Sequence, residues 1–263
     1  MRFAIRKCIV IFVFVLGVST VAYGTPVGLI SDSESSSEQE TALTIGVFAD
    51  CVNDRKMDID SGAIEIDAVG VRISFDAFKR YKYYMELGET LDFTYSYVIQ
   101  GEDYTADFNT NFIWGLGASA LILKWDNGLQ LGANLSYRQI SNDLTKVSID
   151  SATYYDDDTE ISSCNTKGGF KEYQAALELS WKTEYFSPYI GIKCSEAEID
   201  FDITVSGVAR NASEEAKEKY GVFVGCTFSP KLNILPNNEQ VSINVEGRLI
   251  DENAVSASLN FKF

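Results

Sequence analysis

Seven charged side chains at strand-like spacing are the first candidates for chemistry in this 263-residue chain. Each occupies a polar position within a segment where apolar and polar residues alternate, which predicts that they share one face of a sheet. They are Arg72, Glu86, Arg138, Glu172, Glu178, Glu246 and Arg248. Buried arginines and carboxylates must pair, so the favoured role is an ionic cluster that fixes the shape of the protein. The lining of a selective pore is the alternative.

The chain contains no histidine, which narrows the chemistry further. This absence removes histidine general bases, Ser–His and Cys–His pairs and histidine-ligated metal sites. We therefore predict no catalytic residue, no metal and no cofactor, although an enzyme that uses a carboxylate pair is left open. With 22 Lys and Arg against 38 Asp and Glu, the negative net charge disfavours nucleic acid as a partner.

The elements that must position these charges are strands. Strict alternation from Thr41 onward predicts about ten of them, with eight or twelve left open. The candidate strands cover 43–49, 69–75, 83–97, 111–125, 129–137, 173–181, 190–194, 220–228, 241–249 and 255–263. The third keeps one apolar parity from Tyr83 to Tyr97, broken only by Glu89, and the fourth suggests a bulge near Ser119.

The length of the strands and the order of the connections favour a closed antiparallel up-and-down transmembrane β-barrel over a soluble sandwich. Several strands reach the roughly 9–11 residues that a tilted strand needs to cross a bilayer. Long connections at 52–62, 98–109, 142–169 and 197–217 alternate with short ones at 77–81, 126–128, 184–188 and 230–238. Long external loops and short periplasmic turns are typical of outer-membrane barrels. The short hairpin at 251–253 breaks this alternation.

The N-terminal residues predict export and three regions. Arg2, Arg6 and Lys7 precede an apolar run at 8–18, and small residues precede a cut after Gly24. This pattern indicates a secretory signal peptide at 1–24. An acidic, serine-rich leader follows at 25–40, and the barrel occupies 41–263.

Four cysteines would remain after removal of the signal peptide, and the exported compartment would allow disulfides. Cys194 and Cys226 share the apolar parity of neighbouring strands, and Cys51 and Cys164 fall near the external side. We predict these two pairings as hypotheses among the three that four cysteines permit.

The last strand carries a family resemblance. Ala257, Leu259, Phe261 and Phe263 alternate up to a terminal aromatic residue, which resembles the assembly signal of bacterial outer-membrane β-barrel proteins. In their alternation of apolar and polar residues, residues 41 to 263 are similar to small barrels of the outer-membrane protein A type. The resemblance implies an outer-membrane location, lipid as a partner and recognition of this strand by the barrel-assembly machinery. It names no external partner.

Three functional hypotheses follow. The first is a non-enzymatic barrel with a structural or surface-interaction role. The second is a narrow pore for small solutes or cations, which the acidic composition would favour. The third is a soluble exported barrel or sandwich that binds a small apolar ligand.

Overall fold

The computed structural model describes residues 41–58, 62–78, 80–99, 102–108, 110–149, 152–155, 167–205, 208–230 and 240–263. The predicted signal peptide and leader at 1–40 lie outside the described residues, as does Cys164. Among the residues described, no helix is long and apolar enough to cross a membrane. The strands are β1 (Thr41–Lys56), β2 (Ala63–Ala77), β3 (Tyr81–Ile99), β4 (Glu102–Phe108), β5 (Phe112–Lys124), β6 (Leu129–Ile149), β7 (Ala152–Tyr155), β8 (Lys167–Trp181), β9 (Phe186–Val205), β10 (Val208–Glu215), β11 (Tyr220–Phe228), β12 (Gln240–Leu249) and β13 (Asn253–Lys262).

The strands close into one antiparallel barrel. Its ring runs β1-β2-β3-β5-β6-β8-β9-β11-β12-β13, and β13 returns to β1 with Phe261 opposite Ile45 and Ala257 opposite Ala49. The predicted fold class and the predicted number of ten strands are therefore confirmed. Apart from the closing pair β13–β1, the ring strands follow one another in chain order, and all of these pairs are antiparallel.

Three further strands extend the ring. β4 and β5 together act as one interrupted strand, since both lie between β3 and β6. Among the residues that the structure describes, β7 pairs with β6 alone and β10 with β9 alone, so these two stand outside the ring. A bulge interrupts the pairing of β5 with β6 between Leu121 and Leu123, close to the position near Ser119 that the sequence predicted.

The two ends of the barrel differ. Short turns join strands at 78–80, 125–128 and 182–185, and we call this the short-turn end. At the opposite, extended end, the connections predicted as long loops are in large part sheet, because β1, β3, β6 and β9 continue into them. An isolated bridge between Met57 and Ala216 joins β1 to the chain that follows β10.

The predicted parity of β3 is wrong beyond Leu91. Asp67 pairs with Asp92 and Ala68 with Thr90, so Leu91 is an extra residue opposite no partner on β2. Such a bulge reverses the faces of all later side chains. Phe93 and Tyr95, which the sequence placed on the outer face, are therefore buried inside.

Apolar residues cover the outside of the barrel near the short-turn end. Alternate side chains such as Val71, Ile73, Leu177 and Ile192 are exposed, while their neighbours along each strand are turned inward. An outward apolar band with a polar interior is the arrangement of transmembrane barrels.

Candidate functional site

All seven side chains that the sequence singled out lie inside the barrel. Glu86, Arg138, Glu172, Glu178, Glu246 and Arg248 are almost completely buried, and Arg72 is partly buried. The structure brings most of them together with five charged residues that the sequence analysis did not single out, which are Asp50, Arg55, Lys193, Asp251 and Glu252. Whether this set is structural or lines a pore stays a question of function.

Two arginines and two acids form the centre of the cluster. Arg138 donates to Glu172 at 2.8 Å, and Arg248 donates to Asp50 at 2.6 Å. A distance of 3.8 Å from Arg138 to Asp50 joins the two pairs. These residues come from β1, β6, β8 and β12, so the ion pairs cross the lumen and do not only follow the wall.

Arg55 extends this cluster towards the short hairpin. Its guanidinium bonds the second oxygen of Glu172, donates to Ser195 Oγ at 2.9 Å and lies 3.5 Å from Glu252. The sequence analysis missed Arg55 because it lies within the predicted loop at 52–62. A bulge between Val52 and Arg55 carries β1 further and turns the side chain inward.

The β12–β13 hairpin is folded into the lumen. Asp251 and Glu252 are buried, and both pair with Lys193, the former at 2.7 Å. Glu252 also forms an ion pair with Arg248, whose Nε lies 2.8 Å from a Glu252 carboxylate oxygen. The sequence signal was present, since this hairpin broke the alternation of long and short connections. A short external hairpin with two acids can reach lysine and arginine partners inside the barrel.

The other acids occupy positions nearer the short-turn end. Arg72 Nε donates to Glu86 at 2.8 Å, and its guanidinium stacks on the ring of Tyr84 at 4.8 Å. Glu246 accepts from the Tyr189 hydroxyl at 3.0 Å. These contacts carry the polar network along the lumen from the central cluster to the short-turn end.

An apolar layer lies on the other side of the cluster, towards the extended end. Arg138 is paired in register with Glu172, and the next inward pair along these strands is Ile140 with Phe170. Both are fully buried, and the Phe170 ring lies 6.4 Å from that of Phe93. The layer also contains Met57, Ile64, Ile66, Phe108, Ile113, Ala197 and Ile199.

The outward side chains of the barrel change to charged ones at the level of the apolar layer. Going towards the extended end, Tyr173 is followed by Lys171 and Cys194 by Glu196 on the outward positions. Lys171 Nζ donates to Asp200 at 2.6 Å. This hydrogen bond raises the pKa of Lys171 and lowers that of Asp200. A charged collar thus stands above the apolar band, as expected where lipid gives way to water.

A polar cavity opens at the short-turn end. Its volume is about 70 Å³, and it is enclosed by inward side chains of the ring. The lining is Thr44, Arg72, Ser74, Lys82, Tyr84, Ser119, Thr227, Ser229, Gln240, Ser242, Asn244, Ser258, Asn260 and Lys262. We call this cavity the polar cup.

The predicted Cys194–Cys226 disulfide is wrong. Cys194 lies opposite Tyr220 and Cys226 opposite Pro188, so the two cysteines are six positions apart along paired strands. That separation far exceeds the roughly 7 Å between Cα atoms that a disulfide tolerates. Both cysteines are free. The Cys51–Cys164 pairing stays a prediction, because Cys164 lies outside the described residues.

The four residues of the predicted assembly signal lie on the outward face of β13 or directly after it. Phe261 and Phe263 are exposed, and Ala257 and Leu259 are partly exposed. The backbone amide of Phe263 donates to the carbonyl of Leu43 at 2.8 Å, which anchors the last residue to β1. Recognition of these residues by assembly machinery stays a prediction.

Within the described ranges, no group of three or more Cys, Asp and Glu residues is arranged to hold a metal ion. Five buried carboxylates are instead held close to cationic side chains, and they are Asp50, Glu86, Glu172, Asp251 and Glu252. The lumen can therefore bind and orient charge.

Comparisons with known proteins give distant likenesses. No protein-family model matches the chain. A major outer membrane porin of Chlamydia trachomatis, serovar L3, is 24% identical over an alignment of 221 residues, and the match covers 59% of this chain and 52% of the porin. The chain thus spans about half the length of the curated relatives it matches.

Two solved structures complete the comparison. The translocator domain of the autotransporter NalP from Neisseria meningitidis has a TM-score of 0.49 and 10% identity, covering 89% of this chain and 91% of that one. The outer membrane protease OmpT from Escherichia coli has a TM-score of 0.44 and 12% identity, covering 88% and 97%. The architecture itself is established by the strand pairing. In architecture, the resemblance of this chain to bacterial outer-membrane β-barrels is confirmed.

Proposed function

We propose that this chain is a non-enzymatic outer-membrane barrel with a closed lumen, which serves as a rigid anchor for the sheet at its extended end. The observation that carries the proposal is the pair of layers that fill the lumen. The central ion-pair cluster and the apolar layer lie one above the other, and side chains in both are almost completely excluded from water.

The number of strands supports a filled interior. The diameter of a barrel grows with strand number, and barrels of about eight strands are filled by their own side chains, whereas porins of 16–18 strands leave an aqueous channel. Ten strands give only a little more room than eight. Arg55, Arg138 and Arg248 occupy that room, and each is nearly inaccessible.

The apolar layer makes ion passage unfavourable even where the ion-pair cluster fluctuates. An ion would have to pass between Phe93, Ile140 and Phe170, whose side chains carry no polar group to replace its hydration shell. Hydrophobic constrictions of this kind block conduction in channels.

The decisive experiment is planar-bilayer recording on the refolded full chain. We expect no reproducible conductance steps at any applied voltage. Insertion must be demonstrated in the same preparation by a heat-modifiable band on a gel, so that silence is not mistaken for failed insertion. Discrete steps whose size scales with salt concentration would contradict the closed lumen.

A narrow pore is the second candidate, because a relative of 24% identity is described as a porin. The pore hypothesis requires water to pass the apolar layer. It predicts that Phe170→Ala, which removes a large side chain from the layer and so widens the passage, raises a conductance that the unsubstituted protein already shows. The closed-lumen proposal predicts a baseline that is silent before the substitution.

A soluble exported protein is disfavoured by the exposed apolar band. Large side chains such as Leu135, Tyr173 and Ile192 would face water on a soluble barrel, at a cost that burial in lipid removes. Membrane fractionation tests this point directly, and recovery of the folded protein in the soluble periplasm would overturn the membrane assignment.

A further inference from the structure

We propose that the inner wall at the extended end holds a binding site for a small organic cation, formed by the carboxylate of Glu214 and three tyrosines. The tyrosines are Tyr95, Tyr97 and Tyr104, and we call them the tyrosine stack. The stack lies directly above the apolar layer, since Tyr95 and Tyr97 are the next inward positions after Phe93 along β3. A ligand would reach it from the extended end without passing the apolar layer, so the inference is independent of whether the barrel conducts.

Glu214 is a buried carboxylate that has no cationic partner among the residues that the structure describes. It is 8% exposed, and the Tyr95 hydroxyl donates to one of its oxygens. Since β3 and β10 are not neighbours in the sheet, this hydrogen bond crosses the lumen. Asp50 and Glu172 in the central cluster, by contrast, each pair with an arginine. A carboxylate buried without a counter-charge is costly, and a cationic ligand would supply that charge.

The pKa values at the site are those of an acid buried beside aromatic rings. Burial raises the pKa of the Glu214 carboxyl, and the hydrogen bond from Tyr95 offsets this effect only in part. Burial also raises the pKa of Tyr97, with further contributions from Tyr104 and Glu214. The carboxylate of Glu214 and the ring of Tyr97 are therefore close enough to act on the same ligand.

The tyrosine stack leaves aromatic surface open to a cation. Tyr97 and Tyr104 are opposite each other on β3 and β4, with ring centroids 5.1 Å apart and planes 5° from parallel. Parallel rings in contact are about 3.5 Å apart, so the longer centroid distance means that the rings are offset and that part of each face is uncovered. Both side chains are partly exposed. The electron-rich face of a tyrosine ring attracts organic cations, quaternary ammonium groups among them.

The sequence around the site is acidic. Residues 92–108, which carry the tyrosine stack, contain four acidic residues and no lysine or arginine. Residues 196–219, which carry Glu214, contain seven acidic residues against three basic ones. Charge of one sign raises the local concentration of ligands of the opposite sign. The extended end therefore favours the approach of a cation over that of an anion.

The side chains of the site select the class of cation. Calcium typically binds about six to eight oxygen atoms, and within the described ranges no group of three or more carboxylate or thiol side chains is arranged to hold a metal ion. An organic ammonium ion needs only one carboxylate and an aromatic face. A neutral sugar would also stack on tyrosine, but it would leave the charge of Glu214 uncompensated.

The test is titration of the refolded full chain with choline, followed by ¹H NMR line broadening of the N-methyl signal. The detergent is a maltoside, which carries no ammonium group, and ionic strength is held constant with sodium chloride. We expect saturable binding. The probe 3,3-dimethyl-1-butanol has the shape of choline without the charge, and we expect it to bind at least about tenfold more weakly.

Variants separate the two parts of the site. Glu214→Gln keeps the size of the side chain and removes the charge, so it should weaken choline binding about tenfold or more. Tyr97→Leu removes an aromatic face and should weaken binding about fivefold, whereas Tyr97→Phe keeps the ring and should stay within about twofold. Glu215→Gln is the matched control, because it removes the same charge from the neighbouring exposed partner of Lys219 and should leave the affinity unchanged.

The site is rejected if choline binding does not saturate, if 3,3-dimethyl-1-butanol binds equally well, or if Glu215→Gln weakens binding as much as Glu214→Gln. If Glu214→Gln does not fold, unchanged affinity in Tyr97→Leu rejects the site. A parallel titration with phosphocholine separates two sources of the ammonium group. Affinity equal to that of choline indicates the end of a larger molecule such as a lipid headgroup, and weaker binding indicates the free cation.

Discussion

Replacement of Glu172 by glutamine tests whether the ion-pair cluster is dry and structural. Glu172 hydrogen-bonds two buried arginines, since one oxygen bonds Arg55 and the other bonds Arg138 at 2.8 Å. Glutamine keeps the size of the side chain. It removes the charge, however, and turns an amide donor towards a guanidinium.

The expected loss of stability follows from the ion-pair contacts that the two arginines would retain. Arg55 would keep Glu252 at 3.5 Å, and Arg138 would keep Asp50 at 3.8 Å, both longer than the bonds lost. Removing one partner of a buried ion pair typically costs about 3–5 kcal/mol, because an uncompensated charge stays buried. We expect Glu172→Gln to lower the free energy of unfolding by an amount in that range.

The assay is urea unfolding in lipid vesicles, followed by tryptophan fluorescence and by heat-modifiability on a gel, with linear extrapolation to water. Glu196→Gln is the control. It removes the same charge from an exposed partner of Lys219 and should leave the midpoint unchanged. A loss below about 1 kcal/mol for Glu172→Gln would mean that water screens the cluster, and the closed lumen would then have to be abandoned.

Two further outcomes concern packing and pH. Gly117→Ala should destabilise the barrel by about 1–3 kcal/mol, because its new Cβ would lie 2.1 Å from the buried Tyr84 ring, whereas Gly247→Ala has open space and should be neutral in the same urea assay. Asp200 has a lowered pKa through Lys171, so its stabilising contribution is present above the unfolded-state pKa and is lost as pH falls through the folded-state pKa. Asp200→Asn should therefore flatten the acid side of the pH–stability curve, and an unaltered curve would contradict this assignment.

The ring of ten strands could be predicted from the sequence because alternation is a local signal. In β6, for example, Leu131, Ala133 and Leu135 face outward and Gln130 and Asn134 face inward, as their spacing indicates. A side chain's face depends only on its neighbours in the strand while the register is unbroken.

The buried partners of the cluster could not be predicted, because they depend on the length of strands and on the path of a turn. Arg55 lies in the lumen only because β1 continues beyond a bulge. Asp251 and Glu252 are inside only because their hairpin folds inward. The hairpin that contains Asp251 and Glu252 is polar in composition, and polar segments are usually exposed to solvent. Only the positions of Lys193 and Arg248 across the barrel reveal why these acids are buried.

The reversal of apolar parity along single strands has one physical cause. Near the short-turn end, apolar residues face outward, which is favourable in lipid. Towards the extended end, the outside would meet water, and apolar residues such as Ile66 and Phe170 face inward. β2 and β8 achieve this reversal by a change in composition, whereas β3 achieves it by inserting Leu91, which brings Phe93 inside. The apolar layer that closes the lumen is therefore the core that the barrel needs once its wall rises above the apolar band. On this view, the lumen is closed at this level because the outside of the wall passes from lipid to water.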